Sequence, residues 1–428
     1  MRTSRSILID NPAVFKQQLL GWAQQYREIV FLDSNQYPQE FSNFDCAIAV
    51  DAFTSLKTDY KNAFEDLKQY QQISNDWLFG YLSYELKNDI EDLNSQNFDG
   101  LGFADLFFFQ PKKIFIFNQN QLQMQYLHLC DDEIDSDLLE IQAYVKKESI
   151  ASKVVLNQQI TKDTYVSKVK KILEYIQQGA VYETTFCMSF FAENCDINPL
   201  EKFQKLNEIS KAPFSVFLKT KNHYLLSASP ERYLKKNNDL LVSQPIKGTS
   251  KRFVDKIEDQ NSKIQLASDQ KERSENIMIT DLVRNDLSRT AQKGTVLVTE
   301  LCKVYPFEQV HQMISTITSR LDPKYTAIDA IKTTFPMGSM TGAPKIAAMQ
   351  IIDSLEENRR GLFSGAVGYF DPNSNFDFNV VIRSILYNKE NKFLSFSVGS
   401  AITAMSDPEK EYQECLLKAK ALRRVLER

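Results

Sequence analysis

The stretch TKDTYVSKVKKILEYIQQG (161–179), with the chain that follows it, decides the fold class. Its apolar residues recur at helical spacing, Thr161 or Asp163 suits the N-cap, and Gly179 stands just past the last turn. Two further long helices are predicted near 269–290 and 408–427. Strand-like segments lie between the helices: FSVFLKT (214–220), YLLSAS (224–229), DLLVSQPI (239–246), VVIRSILYN (380–388) and KFLSFSVGSAI (392–402). The pattern predicts a mixed α+β protein with much antiparallel sheet.

The acidic stretch DDEIDSD (131–137) is the best candidate for a boundary within the chain. Strand-like runs precede it and the helix-rich part follows, although no linker rich in Pro, Gly or Ser separates them. We therefore divide the chain into 1–150, an N-terminal part, and 151–428, a catalytic region, and we expect both to belong to one compact fold.

Composition excludes several classes of function. The 428 residues are 43% hydrophobic and 25% charged, with a formal charge of −4, so a broad basic surface for nucleic acid is not expected. No apolar run approaches the length of a membrane span. Six scattered cysteines and three histidines form no zinc-binding pattern. We expect a cytoplasmic protein with reduced thiols, without nucleic-acid or membrane partners.

Two predicted helices each carry a pair of glutamates three residues apart. Glu272 and Glu275 lie in DQKERSENIMITDLVRNDLSR (269–289), and Glu411 and Glu414 lie in the last helix. Residues at this spacing share one face of a helix, and such a face is commonly a solvated one. The alternative is a site for a hard cation, since Mg²⁺ binds one or two protein carboxylates together with an anionic substrate.

Two basic residues stand in apolar surroundings. Arg383 lies within VVIRSILYN, which we interpret as a buried strand, so its guanidinium needs a carboxylate from the protein or from a ligand. Lys247 lies in PIKGT (245–249), at the end of a strand-like run. Most lysines are structural or solvated; a nucleophilic lysine needs a pKa lowered by burial or by a nearby cation, which this setting allows.

Seven segments stand out when the chain is taken as a whole: SASPERY (227–233), PIKGT (245–249), ENIMITDLVRNDLSR (275–289), FPMGSMTGAPK (335–345), GAVGYF (365–370), VVIRS (380–384) and SDPEKEYQE (406–414). Their order resembles that of the chorismate-utilising enzymes, the group that includes the component I subunits of anthranilate synthase and aminodeoxychorismate synthase. The resemblance is close over about 160–425 and looser before that, through FLDSN (31–35) and WLFGYLSYE (77–85). It implies an anthranilate synthase component I-like fold, with stacked antiparallel sheets at the core and helices outside.

The resemblance also implies roles for individual residues. Glu275 and Glu414 match the family's direct magnesium ligands, and Glu272 and Glu411 match its supporting carboxylates. Chorismate has two carboxylates, so one could bind the magnesium ion and the other a bidentate arginine. The substrate-binding matches are Arg383 for a carboxylate, Tyr369 for the ring, and Ser339, Thr341, Gly342 and Gly399 for the pocket lining and the nearby backbone loop.

Position 247 distinguishes the possible products. Family members that make anthranilate typically read PIAGT, whereas those that make 4-amino-4-deoxychorismate, the precursor of 4-aminobenzoate and folate, read PIKGT. The resemblance therefore implies that Lys247 attacks C2 of chorismate as the 4-hydroxyl leaves, and that ammonia then adds at C4 and expels the lysine. No cysteine has the setting of a glutaminase nucleophile, so a separate glutamine amidotransferase subunit is expected to supply ammonia.

The chain departs from the family pattern at several positions. Glu183 stands where glutamine is frequent and is a candidate base, and Gln312, next to His311, stands at the usual family histidine. Asp33 and Ser34 match a segment that forms a tryptophan site in some relatives, and whether this chain has such a site stays open. The alternatives to an aminodeoxychorismate product are an anthranilate synthase component, an isochorismate or salicylate synthase, and a non-catalytic protein of the same fold.

Overall fold

The computed structural model describes residues 1–93, 95–146, 153–308 and 310–427. The helices of these residues include α5, with Thr161 as its N-cap, as the sequence predicts; Gly179, just beyond it, has a φ of 77°. The helices are α1 (Pro12–Trp22), α2 (Ala63–Ser74), α3 (Lys87–Ile90), α4 (Ile134–Ala143), α5 (Lys162–Gln177), α6 (Pro199–Ser210), α7 (Lys256–Ser268), α8 (Gln270–Ser288), α9 (Ala327–Thr334), α10 (Lys345–Leu355) and α11 (Pro408–Leu426).

The strands of the described residues form one antiparallel network. They are β1 (Arg2–Leu8), β2 (Glu28–Asp33), β3 (Cys46–Thr58), β4 (Leu78–Leu82), β5 (Leu106–Asn118), β6 (Gln121–Leu127), β7 (Asn157–Gln158), β8 (Glu183–Ala192), β9 (Phe214–Thr220), β10 (His223–Ser229), β11 (Arg232–Asn237), β12 (Leu240–Gln244), β13 (Ile246–Lys251), β14 (Leu297–Pro306), β15 (Val310–Arg320), β16 (Gly342–Ala343), β17 (Ala366–Phe370), β18 (Phe376–Asn379), β19 (Ser384–Asn388) and β20 (Phe393–Thr403). The expected α+β architecture is therefore present.

The two faces of the network belong to two hydrophobic cores. Along β2, Ile29 and Phe31 join one core and Val30 joins the other, as the alternation of side chains across a strand requires. The first core also contains buried residues of α1, α5, α6 and α11. The second contains the aromatic residues of β4, β17 and β18 and the first three phenylalanines of β5 (107–109), together with buried residues of α8 and α9. Burial on both faces explains why several strands read as continuous apolar runs.

Strands from before and after residue 150 pair at two places. β2 pairs with β9, and β4 pairs with β17. The predicted division between 150 and 151 itself lies outside the described residues, so it stays a prediction. The acidic stretch 131–137 is helical rather than extended: it spans a 3-10 helix (His128–Glu133) and the start of α4. Asp137 is buried there and binds Lys113.

The interpretation of 380–388 as one buried strand is wrong. β18 ends at Asn379 and β19 begins at Ser384, so Arg383 lies between strands, with a φ of 51°. β18 pairs with β11 and β17, whereas β19 pairs with β10 and β20. The chain therefore changes its pairing partners between β18 and β19. The sequence does not reveal this break, because the run that precedes Arg383 is apolar. Over the described ranges, no helix is long and apolar enough to cross a membrane.

Candidate active site

Lys247 lies in a β-bulge. β13 and β15 pair with Ile246 opposite Ile314 and Thr249 opposite Gln312, so two residues, Lys247 and Gly248, face the single Met313. Gly248 has a φ of 95°, and a Cβ there would lie 3.2 Å from both Glu272 Oε2 and Met313 Cβ. The glycine of PIKGT is thus required by its backbone conformation and by the close approach of its neighbours.

The Lys247 side chain is buried against carboxylates. Its Nζ donates to Glu183 Oε1 at 2.6 Å, and Glu183, the first residue of β8, is fully buried. Burial lowers the pKa of Lys247, but Glu183, Glu275 and Glu231 more than offset this, so the pKa lies above its ordinary value. The sequence allows a lowered pKa but cannot reveal these carboxylates, which come from distant parts of the chain. A base must remove a proton before this amine can react.

Glu231 is a candidate site residue that the sequence analysis missed. It stands between β10 and β11 and is 4% exposed. Burial raises its pKa to about 7, against the opposing effects of the Ser339 hydroxyl, Lys247 and Arg383. Such a carboxyl can donate a proton near neutral pH. Its place in SASPERY was the available signal, but no periodicity or spacing singles it out.

Arg383 presents an unpaired guanidinium. The side chain is half-buried and, among the described residues, forms no hydrogen bond or salt bridge. Burial lowers the pKa of Arg383, and Glu231 partly counteracts this effect. A desolvated arginine without a protein partner is suited to a ligand carboxylate.

The loop before α10 packs on the start of β8. Gly342 has a φ of 152°, and a Cβ there would lie 2.1 Å from the backbone oxygen of Glu183. The Thr341 hydroxyl donates to backbone oxygens within its own turn, and the Thr341 carbonyl accepts from the Thr185 amide at 2.7 Å. Ser339, Thr341 and Gly342 thus come together beside Glu183. Gly399 pairs with Cys187, farther along β8, and its carbonyl accepts from Lys418 Nζ at 2.9 Å.

The four glutamates of the predicted metal site lie on α8 and α11. Lys271 links the two helices, with its Nζ 3.0 Å from Glu411 Oε1 and 3.7 Å from Glu275 Oε1. Glu414 binds Lys418 at 2.7 Å. Burial is the main cause of the raised pKa of Glu272, and Glu414 adds to it.

Glu275 combines burial with a carboxylate oxygen, Oε1, that accepts no hydrogen bond from the described residues, although Lys271 Nζ lies 3.7 Å away. Burial, opposed by Lys247 and reinforced by Glu183, raises the pKa of Glu275 to about 7. Over the ranges described, no group of three or more His, Cys, Asp or Glu side chains stands ready to hold a metal ion. A hard cation that takes one or two carboxylates and completes its shell with an anionic substrate nevertheless fits the unpartnered oxygen of Glu275.

Three other residues singled out by the sequence have their contacts elsewhere. Tyr369 accepts a hydrogen bond from Asn43 and lines a cavity together with Asp33 and Ser34. The structure therefore does not bring Tyr369 to the Lys247 cluster. In the same cavity, Asp33 accepts from Lys16 Nζ at 2.9 Å.

The two candidates for the family histidine position both lie on β15. His311 is buried, with its Nε2 3.0 Å from Asp259 Oδ1. Gln312 is buried opposite Thr249, and its Oε1 has no hydrogen-bond partner in the part of the chain that the structure describes. Neither contact involves Lys247, and which of the two replaces the histidine stays open.

Comparison with known proteins decides the family. The model of the chorismate binding enzyme family matches residues 27–424. The chain belongs to this family. A relative named aminodeoxychorismate synthase component 1, from Bacillus subtilis (strain 168), is 30% identical over 388 residues, which cover 88% of this chain and 80% of that protein.

A protein of the same name from Escherichia coli (strain K12) is 38% identical over 290 residues. These cover 68% of this chain and 63% of that protein, so the match spans less than two thirds of the relative. Among solved structures, anthranilate synthase component I from Streptococcus pneumoniae TIGR4 aligns with a TM-score of 0.80 and 23% identity, over 90% of this chain and 93% of that chain. The anthranilate synthase component I-like fold implied by the sequence motifs is therefore confirmed.

Proposed function

We propose that this chain converts chorismate and ammonia to 4-amino-4-deoxychorismate, with Lys247 as a covalent nucleophile. The observation that carries the proposal is the buried amine of Lys247, held 2.6 Å from Glu183 and surrounded by Glu231 and Glu275. The names of the relatives support the same reaction, which would serve 4-aminobenzoate and folate synthesis.

The raised pKa of Lys247 assigns a task to Glu183. In the first step, the Glu183 carboxylate takes a proton from Lys247, and the neutral amine forms a bond to C2 of chorismate. Both ring double bonds shift, from C1=C2 to C1=C6 and from C5=C6 to C4=C5, and the bond from C4 to the hydroxyl breaks. The hydroxyl takes a proton from Glu231 and leaves as water.

In the second step, ammonia forms a bond to C4, both double bonds shift back to C5=C6 and C1=C2, and the bond between C2 and the Lys247 nitrogen breaks. The departing amine regains its proton from Glu183, and the proton released by the new C4 amine returns to Glu231. The atoms balance as chorismate plus ammonia giving 4-amino-4-deoxychorismate plus water, and the two easier displacements replace one difficult one.

Binding of the substrate falls to Arg383 and the glutamates of α8 and α11. The unpaired Arg383 guanidinium is suited to one chorismate carboxylate through two parallel hydrogen bonds. Glu275 and Glu414, supported by Glu272 and Glu411, would hold Mg²⁺, which supplies positive charge for the second carboxylate. Ser339, Thr341, Gly342 and Gly399 shape the site around these groups. The sequence predicts that Tyr369 contacts the ring. This role needs its own test, because Tyr369 lines the cavity that also contains Asp33 and Ser34.

An external source of ammonia is part of the proposal. Burial raises the pKa of all six thiols, including Cys187, Cys302 and Cys415. A glutaminase nucleophile requires the opposite shift, which supports a separate glutamine amidotransferase subunit as partner. None of the six cysteines forms a disulfide, which supports action in the reducing cytoplasm.

The identity of the product tests the proposal. The protein is incubated with chorismate, magnesium chloride and ammonium chloride, and products are separated and identified by mass spectrometry. We expect 4-amino-4-deoxychorismate, with no product when ammonium is omitted. Anthranilate as the main product would assign the chain to its nearest alternative, and isochorismate would show that water is the nucleophile. Chorismate left unchanged in every mixture would indicate a non-catalytic protein of this fold.

A further inference from the structure

The bulge that carries Lys247 needs support from outside the sheet. Two residues stand opposite one at this point, and such a bulge interrupts the regular ladder of backbone hydrogen bonds. Buried carbonyl groups at the interruption require other donors. The side chain of Asn276 supplies them: its Nδ2 donates to the Lys247 oxygen at 3.2 Å and to the Met313 oxygen at 3.1 Å. One amide thus spans both sides of the bulge.

Asn276 is itself fixed from the other side. Its Oδ1 accepts from the Ser315 hydroxyl, and Ser315 Oγ accepts in turn from the Cys302 amide at 3.0 Å. The Cys302 thiol also approaches Oδ1, at 3.7 Å. Asn276 is 1% exposed. Its amide is therefore both oriented and desolvated, and it makes hydrogen bonds through donor and acceptor ends alike.

The position of Asn276 in the chain adds a functional reason for this arrangement. It follows Glu275 directly on α8, and the Glu275 carboxylate acts on the charge of Lys247. The hydrogen bonds of Asn276 therefore tie the backbone of the nucleophile to the helix that bears the carboxylate. A lysine has a long, flexible side chain, so fixing its backbone is one way to limit where its amine can reach.

We propose that Asn276 is a positioning residue for the nucleophile: it holds the bulge so that Lys247 Nζ stays beside Glu183 and in line with the carbon it attacks. This inference rests on the proposed function of Lys247. A merely structural asparagine would contribute to folding stability alone, whereas a positioning residue also controls the rate of bond formation.

The test measures formation of the bond between chorismate and Lys247. Protein, magnesium chloride and chorismate are mixed without ammonium, and samples are quenched at intervals. Intact mass spectrometry then gives the fraction of the protein whose mass has increased by that of chorismate minus water. Asn276→Ala is expected to slow adduct formation on the order of 100-fold, the effect of a nucleophile misplaced by about 1 Å. The dissociation constant of chorismate should change less than about twofold, because no substrate contact is lost.

Thr280→Val is the matched control. Thr280 lies on the same helix, is 3% exposed, and donates from its hydroxyl to the Asn276 backbone oxygen at 2.7 Å. The substitution removes a buried hydrogen bond of similar kind while leaving the Asn276 amide in place, so it should lower the melting temperature without slowing adduct formation more than about threefold. If Asn276→Ala does not fold, Asn276→Ser, which retains one donor, is used instead. It is expected to slow adduct formation more than Thr280→Val does.

The outcomes separate this inference from the proposed function. Equal adduct rates in wild-type protein and the Asn276 variant would overturn the positioning role while leaving the lysine chemistry in place. Equal slowing by Thr280→Val would also overturn it, since the effect would then follow stability. Absence of any adduct in the wild-type protein, with chorismate bound, would contradict the proposed function itself.

Discussion

Two buried lysines, Lys113 and Lys247, face carboxylates in different ways. Lys113 is 2% exposed, and its Nζ donates to Asp137 at 2.5 Å, Glu133 at 2.5 Å and the Tyr26 hydroxyl at 3.1 Å. All three of its donors are used, as expected for a structural ion pair. Lys247 makes one such bond within the described ranges, to Glu183, and Glu183 Oε2 is buried without a partner.

The difference lies in unused hydrogen-bonding capacity rather than in burial or charge. A fully partnered buried group stabilises one conformation, whereas an incompletely partnered one costs stability and is kept for binding or reaction. The same contrast recurs for arginine and glutamate in this chain. Among the described residues, Arg383 is unpaired while every nitrogen of the Arg232 guanidinium is hydrogen-bonded. Glu275 Oε1 accepts no hydrogen bond, with Lys271 Nζ 3.7 Å away, while both oxygens of Glu356 accept hydrogen bonds.

The largest expected effect separates the two lysines. Lys247→Met should reduce formation of 4-amino-4-deoxychorismate to background, because no amine remains to attack the substrate. Lys113→Met should leave turnover per folded molecule unchanged but lower the free energy of unfolding by about 3 kcal/mol, since it leaves Asp137 buried with the Tyr126 hydroxyl but without its cationic partner. Product assays and urea denaturation of both variants check this. Residual turnover in Lys247→Met at more than a few per cent would exclude covalent catalysis.

The arginines provide the second test. Arg383→Lys removes a bidentate contact, and a lost hydrogen bond to a charged group is worth about 1.5–3 kcal/mol, so kcat/KM for chorismate should fall at least tenfold. Arg232→Lys serves as the control, because Arg232 binds Asp377 through two nitrogens and should affect the melting temperature instead. Steady-state kinetics with chorismate and thermal melts give the two readouts. If kcat/KM falls for Arg232→Lys but not for Arg383→Lys, the chorismate carboxylate binds at Arg232 instead of Arg383.

The third test concerns the glutamates and measures metal affinity rather than turnover. Glu275→Gln should weaken Mg²⁺ binding by about 10- to 100-fold, measured by calorimetric titration of the protein with chorismate present. Glu356→Gln should leave metal affinity unchanged and destabilise the fold, because Glu356 is fully used by Arg360 and the Cys187 amide. Unchanged Mg²⁺ affinity in Glu275→Gln would exclude that residue as a ligand.

The fold was predictable because its signals are local or carried by contiguous motifs. Helical periodicity with Thr161 at the N-cap predicts α5, and the motif order implies the fold that the structural comparison confirms. The break before Arg383 was not predictable from the sequence, because Val380 and Val381 are as apolar as strand residues and only strand pairing reveals the change of neighbours.

The sequence motifs name candidate site residues, but they do not give the electrostatic surroundings of those residues. The motifs point to Lys247, but the sign of its pKa shift depends on residues 64 positions before it and 28 after it, at Glu183 and Glu275. Glu231 was missed because a single glutamate within a quoted motif has no spacing to mark it. The roles of Glu183, Tyr369 and the four glutamates on α8 and α11 stay predictions for the experiments above.

The bulge at Lys247 has a consequence for how such an enzyme can change its reaction. The side chain at position 247 projects from an interruption in the sheet, with the following glycine absorbing the unusual backbone angle. Lys247 belongs to neither hydrophobic core and lies outside the paired register of β13 and β15, so we expect a substitution there to leave the cores and the register in place. Chemistry at this position can therefore vary in a single mutational step while the scaffold that binds substrate is inherited unchanged.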